Sequence, residues 1–195
     1  MLAPTHMRQS EIDAFLQAKS RWIERTLSRL DQVPRPPPFA SGLPLAYLDL
    51  TLRLDWVRTG YAAGVQRDAG ILRVAAKDEA QARRAIELWY REEARHHALA
   101  RIIHFAPLVG RAPKRLRIAG QKTRWGSCST QGTISLNWRL MLVPAALFDY
   151  VVAHELCHLI APHHRPPFWR ELVRVMPDCE ERRRRLHDMA TQLTL

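Results

Sequence analysis

Apolar and polar residues recur at two periods in the first half of the chain, and each period predicts one kind of element. Apolar side chains lie three or four residues apart over 10–30 and again over 79–105, which predicts two amphipathic helices, the second ended by Pro107. Strict alternation over 49–55 predicts a half-buried strand. The first half therefore combines long helices with at least one strand.

A small sheet is predicted between these two helices. Strands near 64–67 and 71–75 flank Asp68-Ala-Gly70, whose composition is typical of a hairpin turn. Together with the strand over 49–55, they fit a small antiparallel β-meander.

The second half of the chain shows the same mixture. Strands are predicted over 113–119 and 132–137, where apolar residues alternate with polar ones. An apolar helix is predicted to begin at Pro144, and two further helices over 168–176 and 180–193. The pattern as a whole predicts an α+β fold.

Proline marks the main division of the chain. Val33-Pro-Arg-Pro-Pro-Pro38 is predicted to be a stiff linker with polyproline character, and residues 1–8 are expected to be disordered. The predicted parts are an N-terminal helix with its linker over 1–38, the small β-meander over 39–77, and a third part over 78–195 that holds the candidate site.

The composition restricts the class of protein. The formal net charge is +11, and a basic surface of this kind is either simply solvated or attracts phosphate-bearing ligands. The three cysteines form no spaced disulfide framework, and neither an apolar leader nor a membrane-length apolar run is present. The sequence therefore predicts a cytoplasmic protein that does not enter a membrane.

The strongest chemical signal is His154-Glu155-Leu-Cys-His158 in the apolar helix. Residues four apart on a helix lie nearly one above the other, so both imidazoles can bind one metal ion. Glu155 points about 100° around the helix from His154, where its carboxylate can take a proton from a water bound to that ion. Neutral imidazole is a good Zn²⁺ ligand, and a catalytic Zn²⁺ keeps three protein ligands and one open position. The motif predicts a hydrolytic zinc site with Glu155 as its base.

A third ligand is expected just after this helix. The residue before a proline avoids the α region, so Ala161-Pro162 is predicted to end the helix and let the chain turn back. His163 or His164 could then reach the metal, and His164 is favoured. The alternative is a core helix whose histidines are satisfied within the protein. Three other histidines, on the second long helix, are expected to be surface or core residues: His96, His97 and His104.

Several motifs in a fixed order resemble one known family. They are Arg124-Trp-Gly-Ser-Cys128-Ser, Gly132-x-Ile-Ser-Leu-Asn137, Pro144, Asp149-Tyr-Val-Val-x-His154-Glu-Leu-Cys-His-Leu, His164 and Phe168-Trp169. This combination resembles the YgjP-like zinc-dependent metallopeptidases, which are related to the SprT-like and WLM metallopeptidases. The resemblance implies a zincin-like catalytic domain, with the metal-binding helix beside a small antiparallel sheet, and a peptide or protein substrate. The family usually has Leu-Gly where this chain has Leu48-Asp49.

The resemblance also implies that residues 124–128 lie close to the substrate cleft. Gly126 would permit a close approach of the backbone, and Arg124 would bind an anionic group or a substrate carboxylate. The alternative is that Trp125 and Cys128 are core residues and that Arg124 forms an internal ion pair. The lining residues are therefore expected to be Arg124, Trp125, Gly126, Ser127 and Cys128.

Three other functions stay open on the sequence alone. One is a nucleoside triphosphate pyrophosphohydrolase, which would suit the basic charge, although the chain has no glycine-rich phosphate loop and no acidic Mg²⁺ cluster. Another is a DNA-associated protease like the SprT-like proteins, which would bring nucleic acid in as a partner. The last is a fold that a metal merely stabilises, which a fourth protein ligand such as His163 would indicate.

Overall fold

The computed structural model describes residues 8–31, 38–121 and 123–193. The segment expected to be disordered and the predicted proline-rich linker lie almost wholly outside these residues. The chain divides into two compact units, Met1–Pro38 and Phe39–Leu195. In the first, helix α1 spans Gln9–Asp31, which confirms the helix predicted there.

The first sheet of the second unit has four strands, β1 to β4, in the order β1-β2-β4-β3. Their bounds are Pro44–Tyr47, Leu50–Arg58, Gly64–Asp68 and Ile71–Ala76. β3 and β4 form the predicted hairpin, but the antiparallel meander is wrong, because β2 and β4 are parallel. The physical reason is burial. β4 is the more apolar strand and takes the central place, where Leu72 and Val74 are fully buried, while the mostly exposed β3 forms an edge.

Helix α2 spans Glu79–Val109 and packs along this sheet. The prediction that it ends before Pro107 is wrong, because the helix continues through Pro107 to Val109. Proline has no N–H, so the helix loses the hydrogen bond to the Ile103 carbonyl. Ile103 is 74% exposed, so water can take the place of this donor. The helix stops instead at Gly110, whose φ of 78° is left-handed and closes the last turn by donating to Ala106 and Pro107.

The second sheet carries β5, β6 and β7 in the order β5-β7-β6. The strands are Arg115–Ala119, Gly126–Cys128 and Thr133–Asn137. β5 and β7 are parallel while β6 and β7 are antiparallel, so the sheet is mixed and not antiparallel throughout, as the resemblance had implied. β6 was not predicted, because a strand of only three residues is too short to show an alternating pattern.

The remaining elements are a 3-10 helix, Trp138–Leu142, and helices α3, Ala145–Cys157, α4, Pro166–Val175, and α5, Cys179–Leu193. The α+β class predicted from the sequence is confirmed. α3 contacts α2, α4 and α5, and in the second sheet it contacts the edge strand β6 and the central strand β7. None of the helices within the described residues has the length and apolar character needed to cross a bilayer.

Two polar contacts fix the position of α3. The Asp149 carboxylate accepts two hydrogen bonds from Arg101 on α2, at 2.6 and 2.9 Å. The Ala145 N–H donates to Asp49 Oδ1 at 3.3 Å, so a residue distant in sequence satisfies the start of the helix, which Pro144 leaves without a side-chain cap. The sheet and α2 thus set the direction in which the last turn of α3 points.

Asn137 is fully buried at the end of β7 and fixes the chain that leads into β6. Its Nδ2 donates to the carbonyls of Gln121 and Arg124 at 2.7 and 3.1 Å, and its Oδ1 accepts from the Arg139 N–H at 3.1 Å. The Asn137 side chain thus satisfies three backbone groups.

Replacing Asn137 by alanine is expected to lower the free energy of unfolding by about 2–4 kcal/mol, because two carbonyls and one N–H lose the fully buried side chain that satisfies them. Urea denaturation measures this change. Gln66→Ala, on the exposed edge strand β3, is the control and should stay within about 0.5 kcal/mol of the wild type. A loss of stability no larger in Asn137→Ala than in the control would contradict the role given to Asn137.

Candidate metal centre and cleft

Three histidines converge at the end of α3. The Nε2 atoms of His154 and His158 are 3.2 Å apart, those of His158 and His164 are 3.1 Å apart, and those of His164 and His154 are 2.9 Å apart. Among the described residues, this trio is the group of histidine, cysteine and acidic side chains that could hold a metal ion. The structure thus brings together the three residues predicted as ligands, with His164 rather than His163 as the third.

The separations between these nitrogen atoms fit a small tetrahedral cation. Imidazole nitrogens bonded to Zn²⁺ at about 2.0–2.1 Å lie roughly 3.3 Å from one another, close to the values observed. Without a cation, three lone-pair or N–H positions would face each other at these distances. The donor set and its geometry therefore fit the metal that such a site would take.

The tautomer of His158 is fixed by a backbone carbonyl. α3 ends at Cys157, so His158 is the C-cap residue and the predicted helix end at Ala161-Pro162 is four residues too late. The His158 N–H still bonds to the His154 carbonyl, at 3.3 Å, which keeps the two rings one turn apart. Nδ1 of His158 lies 3.1 Å from the Ala161 carbonyl and donates to it, so Nε2 presents its lone pair to the site.

Phe168, fully buried on α4, is the packing surface shared by all three rings. Its ring centroid lies 4.8, 4.5 and 4.8 Å from those of His154, His158 and His164. Trp169 Nε1 also donates to the His164 carbonyl at 3.2 Å, which fixes the loop before α4. Burial, together with the neighbouring imidazoles, lowers the pKa of His154 to about 3, so this ring is neutral. A neutral ring is the form that binds a metal.

Glu155 follows His154 and points into a narrow space beside β6. The residue is 5% exposed, and its Oε2 atom is buried without a hydrogen-bond partner among the described residues. A Cβ atom built on Gly126 would lie 2.6 Å from Glu155 Oε1, so the carboxylate occupies room that only a glycine leaves. Burial raises the pKa of the Glu155 carboxyl to about 8, and the nearby Arg124 guanidinium opposes this shift.

A cleft of about 300 Å³ opens beside His154 and Glu155. Residues of β6 and the chain before it, of α3 and of α5 form its walls. They are Trp125, Gly126, Tyr150, Val151, Arg183, Leu186 and His187. Most of these side chains are apolar or aromatic, so the cleft suits an apolar group of a ligand whose polar part lies beside His154 and Glu155.

The family-model comparison agrees with this site. The model described as "YgjP-like, metallopeptidase domain" matches residues 1–189. The chain belongs to the YgjP-like family. The chain is also similar to the crystal structure of the metallopeptidase zymogen of Pyrococcus abyssi abylysin, at 26% identity over 47% of this chain and 93% of that one, with a TM-score of 0.44. No curated protein sequence matches it.

Membership of the YgjP-like family confirms the resemblance, and the protein has a metallopeptidase domain. Of the five residues expected to line the cleft, Trp125 and Gly126 do so. Arg124 is exposed and acts on Glu155 through its charge. Ser127 and Cys128 lie within β6, opposite Ser135 and Ile134, and line neither side of the cleft. Burial and the charge of Glu155 raise the pKa of the Cys128 thiol.

α5 contributes to this YgjP-like site in a way that its sequence did not predict. The run Arg182–Arg185 has the composition of a solvated face, but Arg182 donates to the Ala146 carbonyl at 2.8 Å and Arg183 stacks over Trp169 at 5.1 Å. Arg183, Leu186 and His187 are spaced three and four apart, so they share one helix face. That spacing was the available signal, but it does not show which element the face meets.

Gly126→Ala is expected to displace the Glu155 carboxylate, because the added methyl group would overlap Oε1. We expect peptidase kcat/KM to fall at least tenfold, while the free energy of unfolding falls by no more than about 1–3 kcal/mol. Gly64→Ala, where an added Cβ meets no atom within 4 Å, is the matched control and should behave like the wild type. Wild-type kinetics in Gly126→Ala would show that this close approach does not matter to the site.

Proposed function

We propose that this protein is a zinc-dependent metallopeptidase that uses Glu155 as its general base. The observation that carries the proposal is the convergence of three Nε2 atoms, none more than 3.2 Å from another, next to a buried carboxylate. Membership of a metallopeptidase family supports hydrolysis of peptide bonds in a peptide or protein substrate.

The metal would be held by His154, His158 and His164. Three imidazole nitrogens favour Zn²⁺ over harder cations, which prefer oxygen ligands. When bound, Zn²⁺ acts as a Lewis acid that makes water more acidic and polarises a carbonyl group. The hydrogen bond from His158 Nδ1 to the Ala161 carbonyl and the packing of Phe168 hold the rings in place before any metal arrives.

Glu155 would take a proton from the attacking water and pass it to the leaving nitrogen. A pKa of about 8, raised by burial, lets this carboxyl gain and lose a proton near neutral pH. The charge of Arg124 opposes the effect of burial, and the pKa of about 8 already includes this opposition. The narrow space against Gly126 restricts where the carboxylate can point, which fixes it beside His154.

The substrate would lie along β6. In the order β5-β7-β6, this strand has a neighbour on one side within the described residues, so its other edge can pair with an extended peptide. One side chain next to the scissile bond would enter the cleft between Trp125 and Leu186. The three cysteines are unpaired, which suits the reducing cytoplasm that we propose as the site of action.

A direct comparison of substrates separates this proposal from the other functions. Purified zinc-loaded protein would be incubated with an unfolded protein, with nucleoside triphosphates and with DNA–protein adducts. The proposal requires cleavage of the unfolded protein without DNA. Hydrolysis of nucleotides alone, or cleavage only of DNA-linked protein, would assign one of the other two functions.

Glu155→Gln is expected to lower kcat by at least about 10³-fold, because an amide cannot accept the proton. Zinc content should stay at the wild-type level, since the three imidazoles are unchanged. Peptidase assays and metal analysis on the same sample measure both. A variant that cleaves at the wild-type rate would remove Glu155 from the mechanism.

Alanine at His154, His158 or His164 is expected to weaken zinc binding by about 10²-fold or more, since each removes one of three ligands. His163→Ala is the matched control, because His163 is an adjacent exposed histidine outside the trio. It should bind zinc like the wild type in a competition titration with a chelator. Loss of zinc in His163→Ala would instead indicate a fourth protein ligand and a structural site.

A further inference from the structure

A second depression adjoins the metal centre, and the proposed mechanism does not use it. It has a volume of about 290 Å³ and touches His158 and Leu159 at the end of α3. Arg111, Lys114 and the turn Ser129–Gly132 form its rim, and we call it the basic pocket. The cleft touches His154, Glu155 and the start of β6, whereas the basic pocket touches His158 and the turn after β6. The two depressions therefore lie at opposite ends of the contact between α3 and β6.

The end of α2 fixes Arg111 in this pocket. The left-handed Gly110 turns the chain, and the Arg111 N–H closes the turn by donating to the Ala106 carbonyl at 3.1 Å. Arg111 Nη1 then donates to the Leu159 carbonyl at 3.0 Å. The guanidinium is therefore held next to the residue that follows the metal ligand His158.

The turn between β6 and β7 fixes Lys114. Its N–H donates to the Gly132 carbonyl at 2.9 Å, and its side-chain carbons run along Gly132, where an added Cβ would lie 3.4 Å from Lys114 Cγ. Gly132 has a φ of 81°, so the turn itself requires glycine at this position. Lys114 is thus held against the turn and lines the pocket.

Neither cation is neutralised by a neighbouring acid. Within the residues that the structure describes, Arg111 and Lys114 form no ion pair, whereas four other arginines near the site do so. Those four are Arg101, Arg174, Arg182 and Arg183. The basic pocket therefore presents two unpaired positive charges directly beside the metal centre.

We propose that the basic pocket binds the carboxylate of an acidic side chain in an extended peptide substrate. The inference rests on the proposed peptidase function and names a feature of its substrate. The N–H groups of Gly132 and Thr133 are already bonded to Ser129, so they are not available to surround a phosphate. The cationic groups in the pocket are two solvated side chains, Arg111 and Lys114, which suit a single carboxylate.

The spacing of the two sites sets where the acidic residue stands. Gly126 lines the cleft and Ser129 lines the basic pocket, three residues along the chain and roughly 10 Å at about 3.3 Å per residue. Alternate side chains of an extended peptide share one face. The acidic residue therefore lies about two to four residues from the residue that fills the cleft.

Peptide binding to the inactive protein tests the proposal without requiring turnover. Acetylated and amidated fluorescent peptides with a central leucine would carry Glu or Gln at two, three or four residues from it on either side. Zinc-loaded Glu155→Gln should bind the best Glu peptide about fivefold to tenfold more tightly than its Gln partner, the gain given by two exposed ion pairs. Fluorescence anisotropy measures both dissociation constants, and added salt should reduce the difference.

Reversing the charge of Lys114 tests whether the preference for Glu peptides arises in the basic pocket. Lys114→Glu in the Glu155→Gln protein should abolish the preference for Glu over Gln. Arg95→Glu makes the same change in net charge at an exposed residue of α2 that lines neither the cleft nor the basic pocket, and it should retain the preference. Circular dichroism confirms that both variants fold.

Equal binding of Glu and Gln peptides, or equal loss in the Lys114 and Arg95 variants, would overturn the proposal. Displacement of the Glu peptide by an equimolar nucleoside triphosphate would overturn it in favour of a phosphate ligand. The results also distinguish a failure of the peptidase function from a failure of the basic-pocket proposal. Acidic preference without cleavage by the wild type removes the peptidase function, whereas cleavage without acidic preference removes only the basic pocket.

Discussion

The site depends on one constraint: a buried helix must hold ionisable groups in its last turn. α3 is buried on nearly every face, and burying histidine and glutamate side chains without partners is costly. The structure reduces this free-energy cost differently for each side chain. His158 donates to the Ala161 carbonyl, the three Nε2 atoms face a common point, and Glu155 fills the space left by Gly126. Glu155 Oε2 is left without a hydrogen-bond partner among the described residues, and the proposed chemistry needs this atom.

The elements around α3 determine where this last turn lies. Arg101 holds Asp149 from α2, and Asp49 satisfies the start of the helix from the first sheet. Phe168 supports the rings from α4, while Asn137 orders the chain before β6 so that Gly126 meets the carboxylate. Because these contacts come from separate parts of the unit, the geometry is set by the whole fold and not by the His-Glu-x-x-His motif alone.

The sequence predicted the elements well where a local signal decides them. The helix periodicity, the hairpin turn before Ile71 and the spacing of His154, His158 and His164 are local signals, and the structure agrees with each. What it could not predict depends on contacts between distant segments. The parallel pairing of β2 with β4 follows from which strand is buried, and the α5 wall of the cleft depends on where that helix packs. The end of α2 is the exception, because the left-handed Gly110 that ends it is a local signal only three residues past Pro107.

The most direct test of the account is a crystal of the zinc-loaded protein measured at the zinc absorption edge. We expect one anomalous peak per chain, within about 2.0–2.1 Å of all three Nε2 atoms, with a fourth position occupied by solvent. A peak elsewhere, or a fourth bond from a protein side chain such as His163, would contradict a catalytic centre at the end of α3.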